Sequence, residues 1–230
     1  MLPALREHRR IIAIGDIHGC LVSLKKLIEL IAPEPGEQFV FLGDFIDRGN
    51  RSKEVIEYLI ELKSVYSCHF IMGNHELMFL DYLEKRESGK WLINGGQQML
   101  NSYSTPKGPV FPKEHLIFIR NCPCYIETDN YLFTHGGLDP ELSIEYNLRY
   151  YQPEDFCWQR LHMHPAFLDK NNFKWEKTVV CAHTVVAKPV LLDRLIAIDT
   201  GCVYKENPLW GKLTAVILPE RRIVQTENLD

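Results

Sequence analysis

At 230 residues, 46% hydrophobic and 24% charged, the chain has the composition of an ordinary globular protein. Its length suits a single domain, residues 1–230, with a sizeable core. The net charge of −4 supplies no whole-molecule attraction to nucleic acid or to an anionic membrane, so phosphate recognition has to come from a few placed cations. No stretch approaches 18 uninterrupted apolar residues, and residues 1–10 lack the apolar run of a secretory leader. Seven scattered cysteines, an odd number, argue against a disulfide framework and for a reducing cytoplasm.

In chain order, Ile11-Ile12-Ala13-Ile14 is a short, wholly apolar run, the pattern of a strand covered on both faces. Leu21, Leu24, Leu27, Ile28 and Ile31 recur at helical spacing, and Pro33 with Pro35-Gly36 ends that helix. Phe39-Val40-Phe41-Leu42 predicts a second buried strand. Val55, Ile56, Leu59, Ile60 and Leu62 predict a second helix, with Ser52 as its cap. His69-Phe70-Ile71-Met72 predicts a third strand, with a helix following Asn74. The β-α-β-α-β order implies a mostly parallel sheet with right-handed crossovers.

Residues 85–120 are less regular, broken by Gly95-Gly96 and by prolines 106 and 109, with Pro112 placed in the first turn of a short helix carrying Leu116, Ile117 and Ile119. After Tyr125 strands dominate: Tyr131-Leu132-Phe133, Val179-Val180-Cys181, Val190-Leu191-Leu192, Ile196-Ala197-Ile198, residues 213–218 and Ile223-Val224. One helix, around residues 153–161, interrupts them. A parallel half followed by a strand-rich half predicts an α/β fold of two packed sheets with helices outside.

Each early strand ends in a polar, glycine-containing loop: Gly15-Asp16-Ile17-His18-Gly19, then Gly43-Asp44-Phe45-Ile46-Asp47-Arg48-Gly49, then Gly73-Asn74-His75-Glu76. Thr134-His135-Gly136-Gly137 and Ala182-His183-Thr184 follow later strands. Ligands of open parallel sheets sit outside the carboxyl ends of the strands, where these loops lie. Carboxylate, imidazole and amide oxygen donors without thiolates suit Mn, Fe or Zn. A carboxylate bridges two cations where a lone imidazole does not, and Asp44 on the central loop is the natural bridge. Two metals about 3.5–4 Å apart lower the pKa of bound water toward about 7 and clamp an in-line displacement. Taken singly, Asp16, Asp44 and Asn74 read as strand-end turn residues; taken together with two later histidines they read as metal ligands.

These ordered motifs resemble the phosphoprotein phosphatase branch of the calcineurin-like metallophosphoesterases, over residues 15–201, and in size the small bacterial and phage serine/threonine protein phosphatases. The resemblance implies a four-layer α/β/β/α sandwich of two mixed sheets. It implies that Asp16 and His18 bind one divalent cation, Asn74, His135 and His183 a second, and that Asp44 bridges them, with Mn²⁺ first and Fe or Zn as alternatives. His75 would be the general acid, with Asp47 orienting its ring. Arg48 would bind phosphate oxygens, as would Arg160, because Trp158-Gln159-Arg160 resembles a family Trp-x-Arg. The late Ile198-Asp199-Thr200-Gly201 also looks like a family strand, with residues 205–210 intervening before Gly211-Lys212-Leu213.

The function so implied is hydrolysis of phosphate monoesters on a phosphorylated protein or small phosphoester, by in-line attack of a hydroxide held between the metals. The alternative is a diadenosine polyphosphate hydrolase of the symmetrical tetraphosphatase type. That related branch tends to show His-Ala-Gly and Gly-His-Trp where this chain has His135-Gly136-Gly137 and Ala182-His183-Thr184. A third reading, an inactive binding scaffold, conflicts with the complete ligand set. No basic stripe interleaved with aromatics supports nucleic-acid binding. His162-Met163-His164 reads as a solvated loop, and Tyr146, Tyr150 and Tyr151 as packing or a groove lining.

Overall fold

A computed structural model of the chain describes residues 5–7, 9–85 and 89–230. Residues 1–4 and 8, part of the stretch read above for a leader, and residues 86–88 of the irregular middle lie outside the described residues. The first half runs β1 (Ile11–Ile14), α1 (Leu21–Ile31), β2 (Gln38–Phe41), α2 (Ser52–Val65), β3 (Ser67–Phe70) and α3 (Asn74–Lys85). A short helix α4 (Gly89–Trp91), a segment kinked at Gly95 (Leu92–Gly96) and α5 (Gln97–Ser102) lead to a small hairpin, β4 (Ser104–Thr105) and β5 (Gly108–Pro109), then α6 (Lys113–Arg120). The second half holds β6 (Tyr125–Glu127), β7 (Tyr131–Thr134), α7 (Ile144–Tyr150), α8 (Pro153–Trp158), a 3₁₀ turn (Leu161–Met163), α9 (Pro165–Leu168), β8 (Thr178–Cys181), β9 (Val190–Leu191), β10 (Leu195–Ala197), β11 (Lys212–Leu218) and β12 (Arg222–Glu227).

Two five-stranded mixed sheets result, ordered β12-β11-β1-β2-β3 and β6-β7-β8-β10-β9. β1, β2 and β3 are parallel, as the early pattern requires, but β11 pairs antiparallel with β1. The sheets are therefore not divided between the halves of the chain. The seven-residue β11, buried along six positions, closes the edge that β1 would otherwise expose.

The alternating sides of β1 show why its run is wholly apolar. Ile12 and Ile14 join Leu24, Leu27, Val55 and Leu59 beneath α1 and α2, whereas Ile11 and Ala13 join Val180 and Ile196 of the second sheet. A third cluster, with Leu132, Val179 and Leu195, lies under Ile144 of α7 and Phe156 of α8. Three cores make four layers, helices outside and two sheets within.

Local details depart from the sequence reading. Ser52 is the first helical residue of α2, not its cap; its hydroxyl accepts from the Asp47 amide at 3.0 Å and ties down the loop before the helix. Pro112 stands just before α6, where its missing N–H costs nothing. α1 has no side-chain cap of its own. The distant Asp230 carboxylate instead accepts from the amides of Val22 and Ser23, both at 3.1 Å.

Candidate active site

The loops after β1, β2, β3, β7 and β8 meet at one end of the paired sheets. Their backbones are unusual: among the described residues eight non-glycine residues have positive φ, and five of them are His18, Asp44, Asp47, Arg48 and His183. Such conformations persist where surrounding structure over-determines them, and they concentrate at functional sites. Glu76 supplies much of that determination. Its buried carboxylate accepts from the amides of Asp44 (2.8 Å), Phe45 (2.8 Å), Ile46 (3.3 Å) and Gly73 (3.1 Å), locking the β2 loop to the β3 loop. Close approach leaves no room for a side chain at residue 73, since a Cβ there would lie 2.3 Å from Asp44 Oδ1.

Asp44 is the hub. Its Oδ2 lies 3.5 Å from His18 Nε2, 3.4 Å from His135 Nε2 and 3.9 Å from His75 Nε2, and its Oδ1 accepts from the His75 amide at 3.0 Å. Asp16 Oδ2 is 3.9 Å from His18 Nε2, and Asp16 Oδ1 is 3.8 Å from His135 Nδ1 and accepts from the His183 amide at 3.3 Å. Asn74 Oδ1 meets His135 Nε2 at 2.9 Å. The structure thus brings Asp16, His18, Asp44, Asn74, His135 and His183 together, all buried. Backbone carbonyls orient two of the rings, Ile46 O at His18 Nδ1 (2.9 Å) and Leu42 O at His135 Nδ1 (2.7 Å), leaving each Nε2 directed inward.

Charge follows from this crowding. Burial depresses His183 to about 2, aided by His135. Burial also depresses His18 well below its ordinary value, with the Arg48 guanidinium next in effect. His135 rises to about 10, because Asp44 and Asp16 outweigh burial. Against burial, His135 and His75 hold the Asp44 carboxyl well below the usual range. Burial and the neighbouring Asp199 push Asp16 well above it.

The donors fit divalent cations. His183 Nε2 and His75 Nε2 are buried without any hydrogen-bond partner. Two clusters of ligand atoms, His18-Asp44-His75 and Asp44-His135-His183, each lie within 4.8 Å and share Asp44. The set is carboxylate, imidazole and amide, suited to borderline or hard metals.

His75 Nδ1 and Asp47 Oδ2 are 2.7 Å apart, and the same oxygen accepts from Trp91 Nε1 at 2.8 Å. Arg48 places Nη1 2.6 Å from His18 Nε2, and Arg160 is exposed at the rim. Both arginines line a cleft of about 120 Å³ with Asp44, Asn74, Trp158 and Tyr204. Trp158 also packs edge-on against His183, ring centroids 5.7 Å apart.

Sequence reasoning missed four contributors. Glu76 was visible in its motif but received no role. Asp199, hydrogen-bonded to Asp16 and to the Gly201 amide, stood in the noted late strand, and Tyr204 lay just beyond it. Trp91 sits in the irregular middle, where no pattern marked it. His162 is a correction: it is fully buried against Cys181 and Trp175, not solvated, because the 3₁₀ turn folds beneath Gly137.

Comparison with known proteins places this geometry. The chain is 25% identical to an asymmetrical bis(5'-nucleosyl)-tetraphosphatase PrpE of Geobacillus sp. (strain WCH70), over 90% of this chain and 89% of that protein. It is 32% identical to the serine/threonine-protein phosphatase 2B catalytic subunit A2 of Saccharomyces cerevisiae, over 56% of this chain but 20% of that one. A solved structure described as a candidate diadenosine tetraphosphatase superposes with a TM-score of 0.70 at 20% identity, covering 96% of this chain and 95% of its own, which establishes the shared fold. The calcineurin-like phosphoesterase family matches residues 9–189. With its ligand clusters at the converging strand ends, the chain belongs to the calcineurin-like phosphoesterases and is a metal-dependent phosphoester hydrolase.

Proposed function

We propose that the substrate is a dinucleoside polyphosphate of the diadenosine tetraphosphate type, hydrolysed within its phosphate bridge. One observation carries this: the tetraphosphatase relative corresponds to the chain nearly end to end, while the protein phosphatase match spans about half the chain and a fifth of that enzyme. The expectation of a protein phosphatase accordingly becomes the second reading. It keeps the support of His135-Gly136-Gly137 and Ala182-His183-Thr184, which depart from the tetraphosphatase pattern.

In this mechanism Asp16 and His18 would hold one cation and Asn74, His135 and His183 the other, with Asp44 shared between the two ligand groups. Divalent cations held there would supply positive charge against the phosphates and lower the pKa of a water. The chain's own groups do the rest. Arg48 and Arg160, on the walls of one narrow cleft, hold the equatorial oxygens by charge-assisted hydrogen bonds. Asp47, fixed by Trp91, holds the His75 ring so that its free Nε2 faces Asp44 and delivers a proton to the departing oxygen.

The test is a direct comparison with Mn²⁺: kcat/KM for diadenosine tetraphosphate beside that for a phosphoserine peptide. The nucleotide should be preferred at least tenfold. A preference of that size for the peptide would reverse the two readings. Chromatography of the products, two ADP or ATP with AMP, identifies the bond cleaved.

A further inference from the structure

Past Arg48 the cleft opens into a broader depression of about 440 Å³. Arg48, Asn94 and Tyr204 wall both spaces, and Ile93, Gly95, Gln98 and Val203 complete the outer one. Its composition differs from the inner cleft, which is lined mainly by charged and amide groups. Ile93 is 87% exposed, an aliphatic side chain left uncovered at the margin of a charged site. It belongs to the segment Leu92–Gly96, where the chain kinks between α4 and α5 at Gly95, whose backbone is not helical. The kink is seated on Arg48: Gly95, at φ 107°, accepts from the Arg48 amide at 3.1 Å, and a Cβ there would meet Arg48 Cγ at 2.7 Å. The Tyr204 ring lies 5.5 Å from the Arg48 guanidinium carbon and 5.6 Å from the Trp210 ring, so its plane is held from behind.

We propose that this depression is a nucleoside subsite. A heterocyclic base lodges against Ile93 and Tyr204, and the phosphate chain runs inward past Arg48 to the buried donors. Flat, apolar faces of a base match an aliphatic and an aromatic wall. The edge of the base meets amides. Asn94 Nδ2 donates to the Lys90 carbonyl at 2.8 Å, which leaves Asn94 Oδ1 to accept from an exocyclic amine such as that of adenine; Gln98 stands beside it. Arg48 is the joint between the two spaces. Its backbone amide is fixed by the Gly95 carbonyl and its guanidinium lies against Tyr204, so base contacts and phosphate contacts are set in one register.

This inference rests on the polyphosphate reading above. The experiment compares kcat/KM for diadenosine tetraphosphate with kcat/KM for inorganic tripolyphosphate, which has the anhydride but no nucleoside, using the Mn²⁺-loaded enzyme. Ile93→Asp, at an exposed position that spares folding, and Tyr204→Ala should each lower the nucleotide-to-inorganic ratio at least tenfold, chiefly through KM. Tyr204→Phe, which keeps the ring, should restore it. If the parent turns over the nucleotide and both variants keep its ratio within twofold, the subsite is wrong while the substrate reading stands. If the parent cleaves a phosphoserine peptide and neither polyphosphate, the substrate reading falls first and takes the subsite with it.

Discussion

His75 has one ring nitrogen bound to Asp47 and the other free, buried and aimed at Asp44, an arrangement suited to proton delivery. Replacing it by asparagine should lower kcat about 10²–10⁴-fold for an alkyl phosphomonoester, the range of general acid catalysis. A phosphoanhydride, whose leaving oxygen is far less basic, should lose much less. Equal losses on both substrates, with cation content retained, would remove the general acid from the mechanism. His162 offers a different test, away from the reaction. Burial, with Arg160 next, lowers it from 6.5 to about 4. Between those values the unfolded chain holds a proton that the folded chain refuses, so stability present at neutral pH is lost as the pH falls through that window. The loss amounts to about 3 kcal/mol. Urea unfolding of the cation-free protein at pH 7 and pH 4.5 should show a smaller difference for His162→Leu than for the parent. Identical pH slopes would mean the ring is not buried neutral. At this scale much was legible: nine side chains assigned from five motifs, and Arg160 from a sixth, are gathered at one end of the paired sheets. His162 was not, because a histidine between Leu161 and Met163 carries no local sign of which side the turn will bury.

At the scale of elements, the loops that end β2 and β3 are useful only while joined, and Glu76 joins them. Burial beside Asp44 pushes its carboxyl up to about 8, against the pull of the amides it accepts from. Glu76→Gln replaces one acceptor oxygen with a donor that faces N–H groups. Unfolding of the cation-free protein should become easier by about 1–3 kcal/mol, and Mn²⁺ affinity should fall about 10–100-fold as the ligands lose their support. Denaturant titration and calorimetry measure both; an unaltered midpoint with full affinity would show that the clamp is idle. The regular elements of the first half could be read because their apolar periods are long and uninterrupted. The segment from Gly89 to Ser102 could not. Its kink at Gly95 is held by Arg48 and by Trp91 packing under Gly96, contacts between distant or irregular positions that leave no period in the sequence.

Across the whole molecule, the candidate ligands divide between the two sheets: Asp16, His18, Asp44 and Asn74 follow strands of the first, His135 and His183 strands of the second. Cations bound between them would tether one sheet to the other, and only the folded chain presents that site. Mn²⁺ at a hundred times its dissociation constant should therefore stabilise the fold by about 2.7 kcal/mol, a rise in Tm of about 5–11 °C for a chain of this size. Chelation should reverse the shift. Asp44→Asn, which weakens the shared ligand, should show a clearly smaller rise and near-complete loss of turnover; the parent's full shift in that variant would rule out Asp44 as the bridge.

The sequence by itself determined the chemistry on offer, because donor types and the glycines beside them are written locally, and it determined the parallel βαβ core, because burial on two faces demands continuous apolar runs. Tertiary structure alone decided that β11 returns to lie against β1, that Glu76 clamps two loops together while Trp91 serves the site from outside its motifs, and that an exposed Ile93 lines the same depression as Tyr204. Those outcomes depend on which distant surfaces meet, and contact between residues a hundred positions apart leaves no mark on either stretch of chain.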